Sequence, residues 1–423
     1  MNQFGIQVED GSEILPTFVM EQNSSSLELY DWQNRAIDFF FKHNGKAIFE
    51  VTTGVGKTVC AIQLMKVLLK ENKDLKTLIV VPKNVILEKT WYKELYDFGF
   101  SITEIGIYYG GGKEYSNITL TNMQSLSKVD IDRFDFVIYD EIHNYGTARM
   151  LEFVKHPFKY SLGLSATVER TDNAHNKISE IFNHNIFKYS PKQALREGIL
   201  NSFSFVNIGI DMDDDTYERY EKITADLNLI FKIGGGWNRI IRSNKPIKYR
   251  MLKKFTERKD LVNNYSRKFD VLKQICNKHR KDKILVFNEF NKQTSKCYWY
   301  LLDEGIKARI MHSGIEKEKR EQDLIDYKND KFNVLLTTRV LDEGYNLPKI
   351  DTAIIMAGQS SARQTIQRLG RVLRKKDKDS SLYQLYCNGT IEAEQGYERT
   401  KIFKELCSKY DEYRYDGENE VFI

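Results

Sequence analysis

Short runs of consecutive apolar residues, rich in Ile and Val, recur along this chain and alternate with longer stretches of helical spacing. The first half supplies AIFEV (47–51), TLIVV (77–81), ITLT (118–121), FVIY (136–139) and SLGLS (161–165). The second half supplies KILVF (283–287), ARIM (308–311), VLLTT (334–338) and AIIMA (353–357). A strand that is apolar on consecutive residues suits burial on both faces, as in a parallel sheet covered by helices. Strand–helix alternation predicts an open α/β fold, and two separate blocks of it predict that fold twice. The length agrees, since 423 residues exceed what one hydrophobic core usually organises. In such sheets ligands bind beyond the carboxyl ends of the strands, so the residues that follow each run are the first functional candidates.

A different stretch separates the two blocks. It opens with the acidic Asp211-Met212-Asp213-Asp214-Asp215 and contains a Gly234-Gly235-Gly236-Trp237 turn. Helical spacing of Ile247, Met251 and Phe255, then of Val262, Tyr265, Phe269 and Leu272, follows. The expected division is an N-terminal extension at 1–26, a first lobe at 27–200, a linker and basic helical insertion at 201–282, and a second lobe at 283–423. The acidic cluster reads as a solvated loop rather than a metal site. Charge is concentrated in the insertion. From Lys232 to Lys268 there are 12 Lys/Arg against Glu257 and Asp260, a local +10 in a chain of net +5. Such a block is either the footprint of a phosphate backbone or a solvated helix face.

Composition excludes several classes. Hydrophobic residues make up 41% and charged residues 29%, a soluble globular mix, and no run of 18 apolar residues predicts a membrane span. The opening MNQFGIQVEDGSEI lacks the basic-then-apolar pattern of a secretory leader. Cys60, Cys276, Cys297, Cys387 and Cys407 are scattered without a CxxC pair, which predicts neither a zinc site nor a disulfide framework. A reduced, cytoplasmic setting is expected, in a bacterial or phage-infected cell.

The chemistry begins after AIFEV. Thr52-Thr53-Gly54-Val55-Gly56-Lys57-Thr58 leads into the helical CAIQLMKVLLK. Glycines let backbone N–H groups close round phosphates at a helix N-terminus, where the dipole favours anions. Thr53, Gly54, Val55 and Gly56 would form the cradle. Lys57 would reach the β/γ-phosphates of ATP, and the Thr58 hydroxyl would ligate Mg²⁺. Val51 stands where the strict GxxxxGK[ST] pattern has its first glycine. The run FVIY ends in Asp140-Glu141-Ile142-His143. Adjacent carboxylates on a buried strand suit metal-dependent hydrolysis, with Asp140 holding Mg²⁺ partly through water and Glu141 orienting the attacking water.

These motifs resemble superfamily 2 helicases. Asp-Glu-Ile-His is similar to the DExH box. Leu164-Ser165-Ala166-Thr167-Val168-Glu169-Arg170 is similar to the Ser-Ala-Thr motif of the XPB-like and type III restriction-helicase branch. Leu29-Tyr30-Asp31-Trp32-Gln33 resembles the branch's adenine-reading element, with Gln33 on the base; Tyr30 and Trp32 could equally be core. Gln364-Thr365-Ile366-Gln367-Arg368-Leu369-Gly370-Arg371-Val372-Leu373-Arg374 matches QxxGRxxR, which implies that Gln367 lies at the nucleotide and that Arg371 and Arg374 face its γ-phosphate. Leu335 to Pro348 resembles motif V, which puts Gly344 and Glu343 near the nucleotide and Thr338 near the nucleic-acid backbone; Asn346 stands where the family usually has Asp. The resemblance covers roughly 27–395 and implies two RecA-like open parallel-sheet lobes with a helical insertion between or beside them.

It also implies a nucleic-acid track across both lobes, made mainly of phosphate contacts. The first-lobe candidates are Pro82-Lys83, Gly110-Gly111-Gly112-Lys113 and Thr121-Asn122; the second-lobe candidates are Asn288, His312-Ser313-Gly314 and Thr338. Arg239, Arg242 and Lys245 of the insertion are expected to clamp DNA, and Trp237 either stacks on a base or packs the insertion onto a lobe. The expected partner is single-stranded, forked or branched DNA, alongside replication or recombination proteins, with a monomer as the basic state. Movement is expected 3′ to 5′. The preferred task is fork reversal, branch migration or repair, as in phage helicases of the UvsW type. A motor subunit of a restriction or defence complex, an RNA helicase and a non-catalytic scaffold are the competing expectations.

Overall fold

The computed structural model describes residues 28–82, 86–110, 112–167, 173–243, 246–312, 314–338, 347–357 and 378–421. Two compact units meet in the chain between Gln193 and Ala194. The first is built on eight strands: β1 Lys46–Val51, β2 Thr77–Val81, β3 Ile105–Tyr109, β4 Gly112–Lys113, β5 Ile118–Asn122, β6 Phe136–Tyr139, β7 Tyr160–Ser165 and β8 Ile186–Tyr189. Their spatial order is β4-β3-β5-β2-β6-β7-β1-β8. All neighbours are parallel except the short β4, which folds back on β3. Strand β2 is buried at every residue, as its unbroken apolar run requires. Helices α1 Asp31–Lys42 and α2 Lys57–Glu71 flank β1. A single wide, π-type turn, Leu87–Trp91, opens helix α3 Tyr92–Asp97. Helices α4 Ala148–Val154 and α5 Ala174–Ile181 complete the unit, and the boundary falls within helix α6 Pro191–Arg196.

The second unit holds β9 Phe203–Ile210, β10 Ile284–Phe287, β11 Ala308–Met311, β12 Val334–Thr337, β13 Thr352–Ile355, β14 Ser380–Cys387 and β15 Lys409–Tyr415. They form an all-parallel sheet in the order β11-β12-β10-β13-β14-β9-β15. Both sheets fit the two expected RecA-like open α/β lobes.

The stretch expected as linker and insertion, 201–282, divides differently. Strand β9 lies between β14 and β15, paired with β14 along Phe203–Ile210, so it is a sheet strand and not a linker. Helix α10 Ser266–Lys278, following α7 to α9 described below, buries Phe269, Leu272 and Ile275 in the second core. Only α7 Asp214–Gly234, α8 Trp237–Ile241 and α9 Pro246–Asn263 form a separate helical module. The module has its own small core of Ile223, Leu227, Ile230, Ile240 and Met251. The glycine run is a helix stop. Gly235, at φ 73°, takes the left-handed conformation that ends α7, and its N–H donates to the Phe231 carbonyl. Trp237 does not pack the module onto a lobe core: its ring meets Phe255 edge-on at 5.5 Å inside the module and stays 47% exposed. The acidic cluster is structural, with Asp213 capping α7 by accepting from Thr216 N–H (2.8 Å) and Asp211 paired with Arg414 (2.6 Å). Helices α11 Asn291–Asp303, α12 Lys317–Lys328 and α13 Ile391–Leu406 finish this unit.

Candidate nucleotide site and nucleic-acid track

The first sheet brings β6, β7 and β1 side by side, and the motif residues follow their carboxyl ends. Val51 is still a strand residue, in register with Tyr189 of β8, so the turn starts later than a glycine at this position would allow. Gly54 (φ 85°) and Gly56 (φ 93°) both adopt the left-handed conformation that lets the loop curl before α2. A Cβ on Gly56 would also lie 3.1 Å from Gln33 Nε2. Gln33 is buried, donates its amide N–H to the Gly56 carbonyl (3.1 Å) and accepts from Tyr30 N–H (2.9 Å). It therefore ties α1 to the phosphate loop. Trp32 is core, stacked on Tyr189 at 5.0 Å.

Lys57 is the first residue of α2, and its side chain is 12% exposed. Its ammonium makes no hydrogen bond among the described residues and stands 3.5 Å from Glu141 Oε1. A desolvated ammonium held only by a long ion pair has unused capacity for an anion. Glu141 itself sits at φ 48°, ψ 54°, a left-handed conformation that is costly for a residue with a side chain and that clusters at functional sites. This sharp turn places Asp140 and Glu141 together at the end of β6. Asp140 accepts from Glu141 N–H on Oδ1 (3.0 Å) and from Trp91 Nε1–H on Oδ2 (3.0 Å). Burial, then the adjacent Glu141 carboxylate, push the Asp140 carboxyl well above the usual range, against the pull of Lys57.

The neighbouring strand end is wired to this pair. Ser165 Oγ donates to the Thr167 carbonyl (2.5 Å) and accepts from Thr167 N–H (3.2 Å). His143 Nδ1 lies 2.9 Å from the same hydroxyl, whose one proton is already committed, so Nδ1 carries the ring proton there. His143 Nδ1 is also 3.4 Å from Glu141 Oε2. The sequence offered Ser165 and His143 only as motif letters. Their link joins the turn after β6 to the end of β7, and that of Trp91 joins a π-type turn to a carboxylate 49 positions away. Among the described residues, no group of three or more His, Cys, Asp or Glu side chains could hold a metal. Magnesium would take its remaining ligands from phosphate and water, which fits one carboxylate, one hydroxyl and an anion-seeking lysine.

The candidate strand contacts fall on the other half of the same sheet edge, beyond β3, β5 and β2. Gly112 and Lys113 form an exposed hairpin arm. Thr121 is fully buried, donating to the Tyr108 carbonyl (2.7 Å), and Asn122 accepts from Ser125 N–H; burial removes the Thr121 side chain from the expected contacts. In the second unit Asn288, His312 and Thr338 follow the neighbouring strands β10, β11 and β12. Asn288 is fully buried, accepting from Cys297 Sγ, so its side chain is not a surface contact either. Thr338 is 7% exposed. His312 accepts from Gly314 N–H (3.1 Å), and burial followed by Arg320 lowers its pKa. Arg239 and Arg242 are exposed on the module. Lys83, Gly111, Lys245, Gly344, Gln367, Arg371 and Arg374 lie outside the described residues.

A phosphate-binding loop and acid pair at the edge of one parallel sheet, in a chain with a second such sheet, define a nucleoside-triphosphate-using enzyme with two RecA-like lobes. The family model described as "Type III restriction enzyme, res subunit" matches residues 26–170, and "Helicase conserved C-terminal domain" matches 267–376. The chain is 24% identical over 405 residues to the DNA 3'-5' translocase XPB2 of Sulfurisphaera tokodaii, covering 91% of this chain and 88% of that protein. It is 23% identical over 379 residues to the putative DNA 3'-5' helicase Rad25 of Halobacterium salinarum, covering 88% of this chain and 55% of that protein. The Hef helicase domain of Pyrococcus furiosus shares the fold, with a TM-score of 0.64 at 16% identity over 87% of this chain and 97% of that one. The chain is a superfamily 2 helicase of the XPB and restriction-type branch.

Proposed function

We propose that this chain hydrolyses ATP to move 3′ to 5′ along one DNA strand and thereby unwinds or remodels duplex, forked or branched DNA. The observation that carries the ATP chemistry is Lys57, an ammonium without a hydrogen bond, set against the strained Glu141. In this reading Lys57 binds the β/γ-phosphates, and Gly54 to Thr58 close the loop around them. Thr58 and Asp140 would hold Mg²⁺, which would supply positive charge against that developing on the phosphoryl oxygens. Glu141 aligns the attacking water, and His143 with Ser165 fixes the end of the turn that carries it. By the family resemblance Arg371 and Arg374 would act on the transferring phosphoryl, a contribution of about 10³–10⁵ in rate for such arginines. Gln33 supports the loop and reads adenine, and the family resemblance assigns Gly344 and Gln367 to the nucleotide as well.

The DNA assignment is supported by the similarity to a DNA 3'-5' translocase and a putative DNA 3'-5' helicase and by the charge of the module. Lys254 is paired there with Asp226 (2.9 Å) and Glu257 (3.3 Å). Lys232, Arg239, Arg242, Lys248, Arg250 and Lys253 have no ion pair among the described residues, which suits a phosphate backbone. Gly112, His312 and Thr338 stay in the proposed track. A restriction-complex motor is the second reading, favoured by the family model over 26–170. The test is ATP turnover and strand separation on single-stranded, duplex, forked and four-way DNA and on RNA. DNA should stimulate turnover, and branched DNA with a 3′ strand should be separated. Stimulation by RNA alone would overturn the DNA assignment. Charge reversal at Arg239, Arg242 and Lys245 should weaken binding and flatten the salt dependence by about one unit of slope per lost contact.

A further inference from the structure

Asp140 is held from a side that its own strand does not supply. Trp91 is fully buried and donates its indole N–H to Asp140 Oδ2 at 3.0 Å. Burial alone does not explain this bond: Trp32 is equally buried, and its indole N–H has no partner among the described residues. Trp91 closes the π-type turn Leu87–Trp91, in which Tyr92 N–H reaches the Leu87 carbonyl. Wide turns of this kind are rare and favour functional sites, because the extra residue re-aims a side chain that an α-helix would place elsewhere. With the indole on one oxygen and Glu141 N–H on the other, the Asp140 carboxylate cannot rotate without losing a bond. Each oxygen keeps lone-pair capacity for a water ligand.

We propose that Trp91 is a positioning residue of the ATP site, its indole N–H fixing the Asp140 carboxylate for the hydrated magnesium ion that accompanies the nucleotide. The proposal rests on the reading of Asp140 as the metal-side carboxylate and names the group that orients it. Outer partners of this kind typically alter metal affinity 10–100-fold. Trp91→Phe keeps the buried ring and deletes the donor.

The experiment is a Mg²⁺ titration of fluorescent-ADP binding to the full chain, alongside turnover. Trp91→Phe should bind ADP in EDTA as the wild type does, yet need about tenfold more Mg²⁺ for the metal-dependent gain. Excess Mg²⁺ should restore its turnover and should not restore that of Lys57→Ala. A merely structural tryptophan would not give a metal-restorable defect. Superimposable titrations would overturn the role of Trp91 alone, whereas a wild type that binds no nucleotide would overturn the ATP-site reading itself. Should Trp91→Phe fail to fold, ¹⁵N-indole spectra of the wild type answer the question with its four tryptophans. One indole resonance should move both on Asp140→Asn and on adding Mg²⁺ to the ADP-loaded protein; if none does, the proposal falls.

Discussion

Each unit carries a lysine withdrawn from water near the carboxyl edge of its sheet, and the two are handled in opposite ways. Lys57 of the first unit, 12% exposed, has no hydrogen bond among the described residues and only a 3.5 Å ion pair. Lys268 of the second is fully buried and donates to the Met356 carbonyl (3.0 Å) and to both Glu392 oxygens (2.6 Å). Glu392 is fixed in turn by Cys387 N–H (3.0 Å). A desolvated charge is costly unless its bonding capacity is filled. Lys268 is filled from within and acts as a strut, whereas Lys57 is left to be filled from outside and acts as a socket.

Removing the socket should stop the reaction and spare the fold. Lys57→Ala should lower ATP turnover by about 10³-fold or more in steady-state phosphate release, with DNA binding nearly intact. A melting temperature that collapsed with turnover would make Lys57 a second strut. Removing the strut should do the reverse. Lys268→Met leaves Glu392 as an unpaired buried carboxylate, and denaturant unfolding should show a loss of about 3–5 kcal/mol. Adding Glu392→Leu should recover most of it; a single mutant as stable as the wild type would refute the distinction. The smallest effect concerns the neighbour of Lys57. Glu141→Gly removes a left-handed side-chain conformation and should stabilise the first unit by about 1 kcal/mol while abolishing turnover. Unfolding of Glu141→Gly at lower denaturant than the wild type would show that the turn at φ 48° stores no strain.

The sequence displayed the parts of this design that rest on local pattern. Largely apolar runs located β1, β2, β5, β6, β7 and β10 to β13, most of them covered on both faces; β11 is an edge strand with Arg309 exposed. Strands β9, β14 and β15 escaped notice for a physical reason. Their sequences FSFVNIGI, SSLYQLYC and KYDEYRY mix polar and charged residues into the run, and β15 is a half-exposed edge. Missing β9 is what stretched the expected insertion back to residue 201. In the site, glycines, the lysine and the acid pair were readable since each motif is contiguous. The reach of Trp91 to Asp140, and of His143 to Ser165, joins residues that are distant in sequence and needed the folded chain. Thr121 and Asn288 turn their side chains inward, which position at a strand end does not reveal.

The root of the helical module has a consequence for how such chains diversify. The polypeptide leaves the second sheet just after β9 and rejoins its core at α10, and Tyr265 fastens departure to return by donating to Asp213 Oδ2 (3.0 Å) and accepting from Asp213 N–H (2.8 Å). Exit and entrance thus share one doorway, so length can be added or exchanged beyond it without re-threading any strand. Beyond that doorway the module can be lengthened or exchanged while the parallel sheet stays as it is.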